Sequence, residues 1–370
     1  MVKQVLTAAL GFGLLGMTHE GFSQATGTKA PPAATKPAPA QGAPTPGTPA
    51  QSGPTSGKPL QLQSLDAGPR ADPFPPTNPK FFTTDSPSVA TIDSYLKAVL
   101  GYDANRIWRV VAVQKTAAPG VTKITTLVSE RAANAKVNSA VFFITPDGKH
   151  LITLDQTGGA VSPFGAAPFA ENRAMLEARA DGPAHGATAK DLMLVEFSDL
   201  QCVHCKEAQA SMTRLAQDFP KARIVFQNLP LTEIHPQAFE AAAYGVCVAK
   251  GSNDAFFKYA QAVYDTQAGL TAEAVDQTLK AAVTKAGADP AAIASCAATD
   301  ATKSAVLASS KLASDLGVEQ TPMLAVNGRL LPLANIPYET LHSLVAYQAS
   351  LDGIAGAAPA TRPAPALAPR

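Results

Sequence analysis

Two cysteines three residues apart, Cys202 and Cys205, closely follow a mostly apolar run of strand length, Leu192-Met193-Leu194-Val195-Glu196-Phe197. So short a run, with little polar alternation, suits a strand covered on both faces. The stretch from Cys202 to Phe219 reads as a helix that stops at Pro220, which cannot continue one. A strand leading into a helix that opens on Cys-Val-His-Cys brings the two sulfurs within bonding reach on the first turn. There the leading sulfur faces unsatisfied backbone N–H groups and the positive end of the helix dipole. Those favour the thiolate, the form that attacks disulfides. His204 adds a second donor or a partial positive charge. At the extreme, a thiol held in this way falls from a pKa of ~8.5 to ~3.5. Such a fall is about 7 kcal/mol in favour of the charged form. Stabilising the reduced state makes the oxidised pair a strong oxidant.

Other uses of a cysteine pair fit less well. Zinc wants about four ligands, and Cys247 and Cys296 form no second pair of this spacing. Haem attachment needs a His directly after the second Cys, where Lys206 stands. A merely structural bridge over so short a loop gains little entropic stabilisation. No cofactor and no metal is implied. A net charge of +1 argues against a polyanion-binding surface, so nucleic acid is not an expected partner.

The ends of the chain read differently from its middle. Lys3, the apolar stretch Val5 to Met17 and the small-residue site Ser23-Gln24-Ala25 have the order of a secretory signal, residues 1–25. An uncleaved anchor is the alternative. A cleaved signal implies a periplasmic or otherwise extracytoplasmic protein, in a compartment where disulfides persist. Residues 26–80 hold 14 of the 31 prolines and show neither helical nor strand period, as expected of a disordered Pro/Ala-rich linker. The tail 355–370 has the same character.

Order is expected from about Ser86. Ser88 is a candidate cap for a helix carrying Ile92, Tyr95, Leu96, Val99 and Leu100 at helical spacing. Strands over Ile107–Val113, Val121–Val128, Ala140–Ile144 and Leu151–Leu154 follow, the last two flanking the turn signal Thr145-Pro146-Asp147-Gly148. Residues 86–165 thus read as a small α+β domain, in which Trp108 packs. A connector, 166–190, is expected to be helical from Ala170 to Ala178. The second domain, 191–351, runs strand, helix, strand at Arg223–Gln227, a helical block at about 235–316, a hairpin around Asn327-Gly328, and a helix over Tyr338–Leu351. His150, His185 and His342 read as surface or core histidines, and His235 as part of a helix start at Pro236.

The segment Glu196-Phe197-Ser198-Asp199-Leu200-Gln201-Cys202-Val203-His204-Cys205-Lys206 resembles the active-site segment of DsbA-type proteins of the thioredoxin superfamily. Leu229-Pro230-Leu231 with Ile234-His235-Pro236 is similar to the entry into that family's inserted helical domain. Ala241-Ala242-Ala243-Tyr244-Gly245-Val246-Cys247 is similar to its first inserted helix. Gly317-Val318-Glu319-Gln320-Thr321-Pro322, followed by Val326-Asn327-Gly328, resembles its cis-proline loop and hairpin. The resemblance runs from about Leu192 to Leu351 and implies a thioredoxin-like α/β fold with a helical insertion.

It also implies roles. Cys202 would attack and Cys205 resolve. Pro322 would be cis, presenting the Thr321 backbone to the pair. Glu196 would be a buried acid beneath Cys205, able to accept its proton; an ordinary strand-end carboxylate is the alternative. The family's common Pro after the first Cys is Val203 here. Cys247 and Cys296 would form a structural disulfide, as in some members, against the alternative of two free buried thiols.

The implied activity is that of a thiol–disulfide oxidoreductase, a dithiol oxidase acting on exported proteins with free thiols and reoxidised by a membrane quinone-linked partner. The competing reading is an isomerase or reductase of DsbC/DsbG type, which also places an α+β domain ahead of its thioredoxin domain and dimerises through it. A third class is a binding module without catalysis.

Overall fold

The computed structural model describes residues 72–132, 134–155 and 158–354. The expected signal at 1–25, most of the expected linker and the tail 355–370 lie outside the described residues.

The first layer is built on α1 (Val89–Leu100), capped by the Ser88 hydroxyl, which accepts from the Thr91 N–H. Its buried stripe of Ile92, Tyr95, Leu96 and Val99 lies at helical spacing. Five strands follow: β1 (Arg106–Lys115), β2 (Thr122–Glu130), β3 (Asn138–Ile144), β4 (His150–Asp155) and β5 (Gly158–Pro163). They form an antiparallel meander in sequence order. In β2 the residues alternate between covered and half-covered, with Thr122, Ile124, Thr126 and Val128 facing inward. The Tyr95 ring packs against Phe142 and Phe164 at 6.2 and 5.1 Å, tying helix to sheet.

This layer departs from the sequence expectation at both ends. Ordered contacts begin at Asp72 rather than Ser86. Phe74 is buried, Arg109 donates to the Phe74 and Pro75 carbonyls and pairs with Asp72, and Phe82 bridges to Val113. One cation on β1 therefore holds a Pro-rich segment that has no period of its own. The fifth strand, Gly-Gly-Ala-Val-Ser-Pro, carries no alternation to reveal it and is specified by pairing along β4.

After α2 (Ala170–Arg179), a short strand β6 (Ala184–Gly186) lies within the expected connector and pairs with β8 (Ala222–Asn228). The second sheet has the order β10 (Arg329–Pro332), β9 (Met323–Val326), β7 (Leu192–Ser198), β8, β6. Its central strand β7 (Leu192–Ser198) runs parallel to β8 (Ala222–Asn228), with α3 (Val203–Asp218) between them in the chain. It pairs antiparallel with β9 (Met323–Val326), which turns back into β10 (Arg329–Pro332). Every residue of β7 is buried. Leu192 and Leu194 pack with Met212 and Leu215 of α3 and with Leu341 and Val345 of α9 (Tyr338–Leu351). Met193, Val195 and Phe197 pack on the other face with Leu176 of α2 and Leu312 of α8 (Asp300–Asp315). The β9–β10 turn places Asn327 and Gly328 at φ of 45° and 92°, the two left-handed residues that such a hairpin requires. A side chain at Gly328 would also meet the Phe169 carbonyl at 2.2 Å.

Between β8 and β9 lie five helices: α4 (Ala238–Ala249), α5 (Asn253–Asp265), α6 (Val275–Lys285), α7 (Pro290–Ala297) and α8 (Asp300–Asp315). Ser252, Asp289 and Thr299 cap α5, α7 and α8 through their side-chain oxygens. The Thr299 cap adds a break to the helical block that the sequence reading did not separate. Phe256, Tyr259, Val263, Leu279 and Val283 fill the core of this insertion.

A buried arginine joins α1 to the second sheet. Arg329 of β10 donates to the carbonyls of Ala98 and Val99 at the end of α1 and to Gln348 of α9. It lies over the Phe169 ring at 4.3 Å. The unpaired carbonyls of a helix C-terminus are natural partners for a guanidinium.

Candidate active site

The end of β7 sets the site. Ser198 and Asp199 leave the sheet buried, and the Asp199 carboxylate accepts from the backbone N–H of Gln201 at 2.7 Å. That turn delivers Cys202 to the N-cap of α3 in extended conformation, φ −77°, ψ 124°. Cys202 is 6% exposed and Cys205 wholly buried, both as thiols.

Burial and hydrogen bonding pull the two sulfurs apart. The Cys205 thiol donates to Cys202, and with the backbone N–H groups of Cys205 and His204 it outweighs burial and lowers the Cys202 thiol to about 5. Burial first, and the Cys202 thiolate next, push Cys205 upward. The Asp199 N–H points at the Cys205 sulfur at 3.4 Å. His204 stands exposed on the first turn, its Nδ1 2.9 Å from Glu207. That carboxylate raises the imidazole pKa, favouring a cation beside the thiolate.

Opposite the pair lies the loop before β9. The Thr321–Pro322 bond is cis, and the Thr321 carbonyl is 3.8 Å from the Cys202 sulfur. Pro322 is buried. The Thr321 hydroxyl is buried without a hydrogen-bond partner.

Glu196 is 3% exposed in the middle of the sheet. Burial pushes its carboxyl up to about 7, against hydrogen bonds from Ser198 and Gln209. Gln209 Nε2 donates both to Glu196, at 2.8 Å, and to the Cys205 carbonyl, at 3.0 Å, so it links the acid to the resolving turn. A cavity of about 390 Å³ is lined by Glu196, Gln209 and Tyr264 together with His185 and Lys258.

Cys247 and Cys296 are joined in a disulfide that ties α4 to α7. Among the described residues no group of three or more His, Cys, Asp or Glu side chains could hold a metal.

The sequence reading passed over the most fully satisfied polar group near the site. The Asp199 carboxylate is completely buried and also accepts from the Leu231 N–H at 2.8 Å and from His235 Nδ1 at 2.9 Å. His235 is therefore more than part of a helix start: it fastens the entry of the helical insertion to the catalytic turn. The two residues are 36 apart in sequence, and only an unexplained acid beside the dithiol hinted at the pair. His150 likewise has a partner, Asp147 in the preceding turn, at 2.7 Å. His185 lies edge-on to Phe257, and His342 packs against Phe219.

The thioredoxin family model matches residues 179–346, which hold the strand, the dithiol, the insertion and the cis-proline hairpin. Those residues form a thioredoxin-superfamily domain. The match covers the thioredoxin-like part of the chain, with the five helices inserted between β8 and β9. Similar solved structures include a periplasmic thioredoxin-like protein from Salmonella enterica serovar Typhimurium, 22% identical, covering 49% of this chain and 97% of that one, TM-score 0.41. BdbD from Bacillus subtilis is 18% identical over 46% of this chain and 93% of that one, TM-score 0.41. The thiol-disulfide exchange protein alpha-DsbA2 from Wolbachia pipientis is 21% identical over 49% and 97%, TM-score 0.41. Among curated proteins, the Na(+)/H(+) antiporter NhaA 1 of Salinispora arenicola is 34% identical over 73 residues, 20% of this chain and 11% of that protein. NhaA 3 of Salinispora tropica is 35% identical over 57 residues, 15% and 9%. The chain thus spans about a tenth of the length of these curated relatives.

Proposed function

We propose that this thioredoxin-like protein is an extracytoplasmic dithiol oxidase that passes a Cys202–Cys205 disulfide to exported proteins bearing free thiols. The observation that carries the reading is the asymmetry of the pair. Cys202 is held toward its thiolate at a helix start, while Cys205 is buried and kept protonated. A stabilised thiolate favours the reduced enzyme, so the oxidised enzyme takes electrons.

In the forward step a substrate thiolate attacks the Cys202 sulfur of the disulfide and the Cys205 thiolate leaves. A second substrate thiolate then displaces Cys202, so the substrate is oxidised by two electrons and the pair reduced. Glu196 takes the role of proton donor and acceptor for Cys205, and its pKa of about 7 suits both directions. Thr321, ahead of cis Pro322, offers its backbone to the substrate beside Cys202, and His204 supports the thiolate. Reoxidation falls to a membrane quinone-linked partner. Among the described residues no helix is long and apolar enough to cross a membrane.

One observation favours a second reading. The α+β layer ahead of the thioredoxin domain matches the arrangement of DsbC/DsbG-type isomerases, which dimerise through theirs. Equilibrating the pair with glutathione and measuring the mass in solution separates the two. A strongly oxidising monomer is expected; a dimer that rescues scrambled disulfides would favour the isomerase. Exchange surviving in Cys202→Ser would remove both.

A further inference from the structure

The second cysteine pair sits beside a cation. Lys250, the residue after α4, is exposed and places its Nζ 3.3 Å from the Cys296 sulfur of the Cys247–Cys296 disulfide. Its other partner is the Thr302 hydroxyl at 3.5 Å, and among the described residues it forms no ion pair. Thr302 is 1% exposed, and its hydroxyl lies 3.4 Å from the Cys247 sulfur and 3.7 Å from that of Cys296. A disulfide carries no proton, so the hydroxyl is the donor in either contact. The two sulfurs differ in access. Cys247 is buried in the core of the insertion, whereas Cys296 is only half-buried.

A neutral disulfide sulfur is a weak acceptor for an ammonium. The same ammonium strongly favours a thiolate, and so does a donating hydroxyl. Lys250 and Thr302 are therefore matched to the bridge when it opens rather than when it is closed. A bridge whose opened form is stabilised is more readily reduced. The charge also draws an incoming thiolate to the accessible sulfur. We propose that Cys247–Cys296 is a second exchange site, opened by a small anionic thiol that bonds to Cys296. The incoming thiolate forms an S–S bond with Cys296 Sγ. The Cys247–Cys296 bond breaks with its electron pair on Cys247, which then takes a proton from water. A second thiolate attacks the small molecule's sulfur and releases Cys296 as a thiolate beside Lys250. Two small thiols are thereby oxidised to their disulfide, and the bridge is reduced by two electrons. The Cys202–Cys205 pair takes no part in these steps.

The test uses the full chain carrying Cys202→Ser and Cys205→Ser, so that only the second bridge can react, with glutathione as the thiol. Quenching with an alkylating agent and mapping peptides by mass should find glutathione on Cys296 and none on Cys247. The rate should rise in proportion to glutathione concentration. Lys250→Met keeps an unbranched stem and removes the charge, and should slow the exchange by about fivefold. Lys250→Arg should stay near the parent rate, and the gap between charged and uncharged variants should shrink in high salt. A bridge that stays oxidised in the folded protein under excess glutathione, an adduct on Cys247, or a rate unchanged in Lys250→Met would overturn the inference. So would a rate that is independent of glutathione and equal to that of global unfolding, since the bridge would then open only in the unfolded chain. Each of these results leaves the oxidoreductase reading standing.

Discussion

Glu196→Gln keeps the size and one acceptor oxygen of a side chain that is 3% exposed, and removes its ionisation. Burial holds the carboxyl at about 7 against an ordinary 4.5. That gap corresponds to about 3 kcal/mol. A raised acid keeps its proton in the folded state after the unfolded chain has lost one. Its stabilising contribution is complete below 4.5 and is lost as pH rises through about 7. Above that range the wild type carries a buried carboxylate that the variant lacks. The variant should therefore match the wild type at low pH and exceed it by about 3 kcal/mol at high pH. Urea denaturation of the oxidised protein over a pH series measures this without interference from either active-site thiol. The same substitution removes the proton acceptor for Cys205. Release of a mixed disulfide at Cys202 should therefore slow by about 100-fold. A stability difference that stays flat with pH would refute the buried-acid reasoning.

Three other outcomes follow from the same contacts. Cys247→Ser opens the bridge between α4 and α7, a sequence separation of 49, and should cost about 4 kcal/mol in urea denaturation while leaving Cys202 reactive toward an alkylating agent. Asp199→Ala strands the N–H groups of Gln201 and Leu231 and the His235 ring; a loss of about 3 kcal/mol in the same assay is expected. His204→Ala removes the cation that Glu207 supports, so the thiolate should titrate at higher pH and glutathione exchange should slow several-fold. The raised imidazole carries its charge below its folded pKa and loses it as pH rises through that value, so this effect should fade in alkaline buffer.

Much of the second sheet and its helices was legible because the signals are local. The apolar run of β7, the stop at Pro220, the Asn327-Gly328 turn and the period of α9 each act within a few residues. The dithiol was legible for the same reason, since spacing alone puts both sulfurs on one turn. What the sequence hid depends on partners far along the chain. Phe74 is held by Arg109 of β1, β5 by its ladder to β4, and Asp199 by His235 at the mouth of the insertion. Arg329 read as an ordinary hairpin residue, yet it carries the junction with α1. None of these pairings leaves a period or a motif behind. The resemblance gave Glu196 its candidacy, but the amide of Gln209 that links it to the Cys205 turn belongs to the next turn of α3.

Titrating the Cys202 thiolate by its ultraviolet absorbance in the reduced protein, with Cys202→Ser as the blank, tests the account most directly. A midpoint at about 5 is expected. A midpoint near the ordinary thiol value of 9.0 would contradict it.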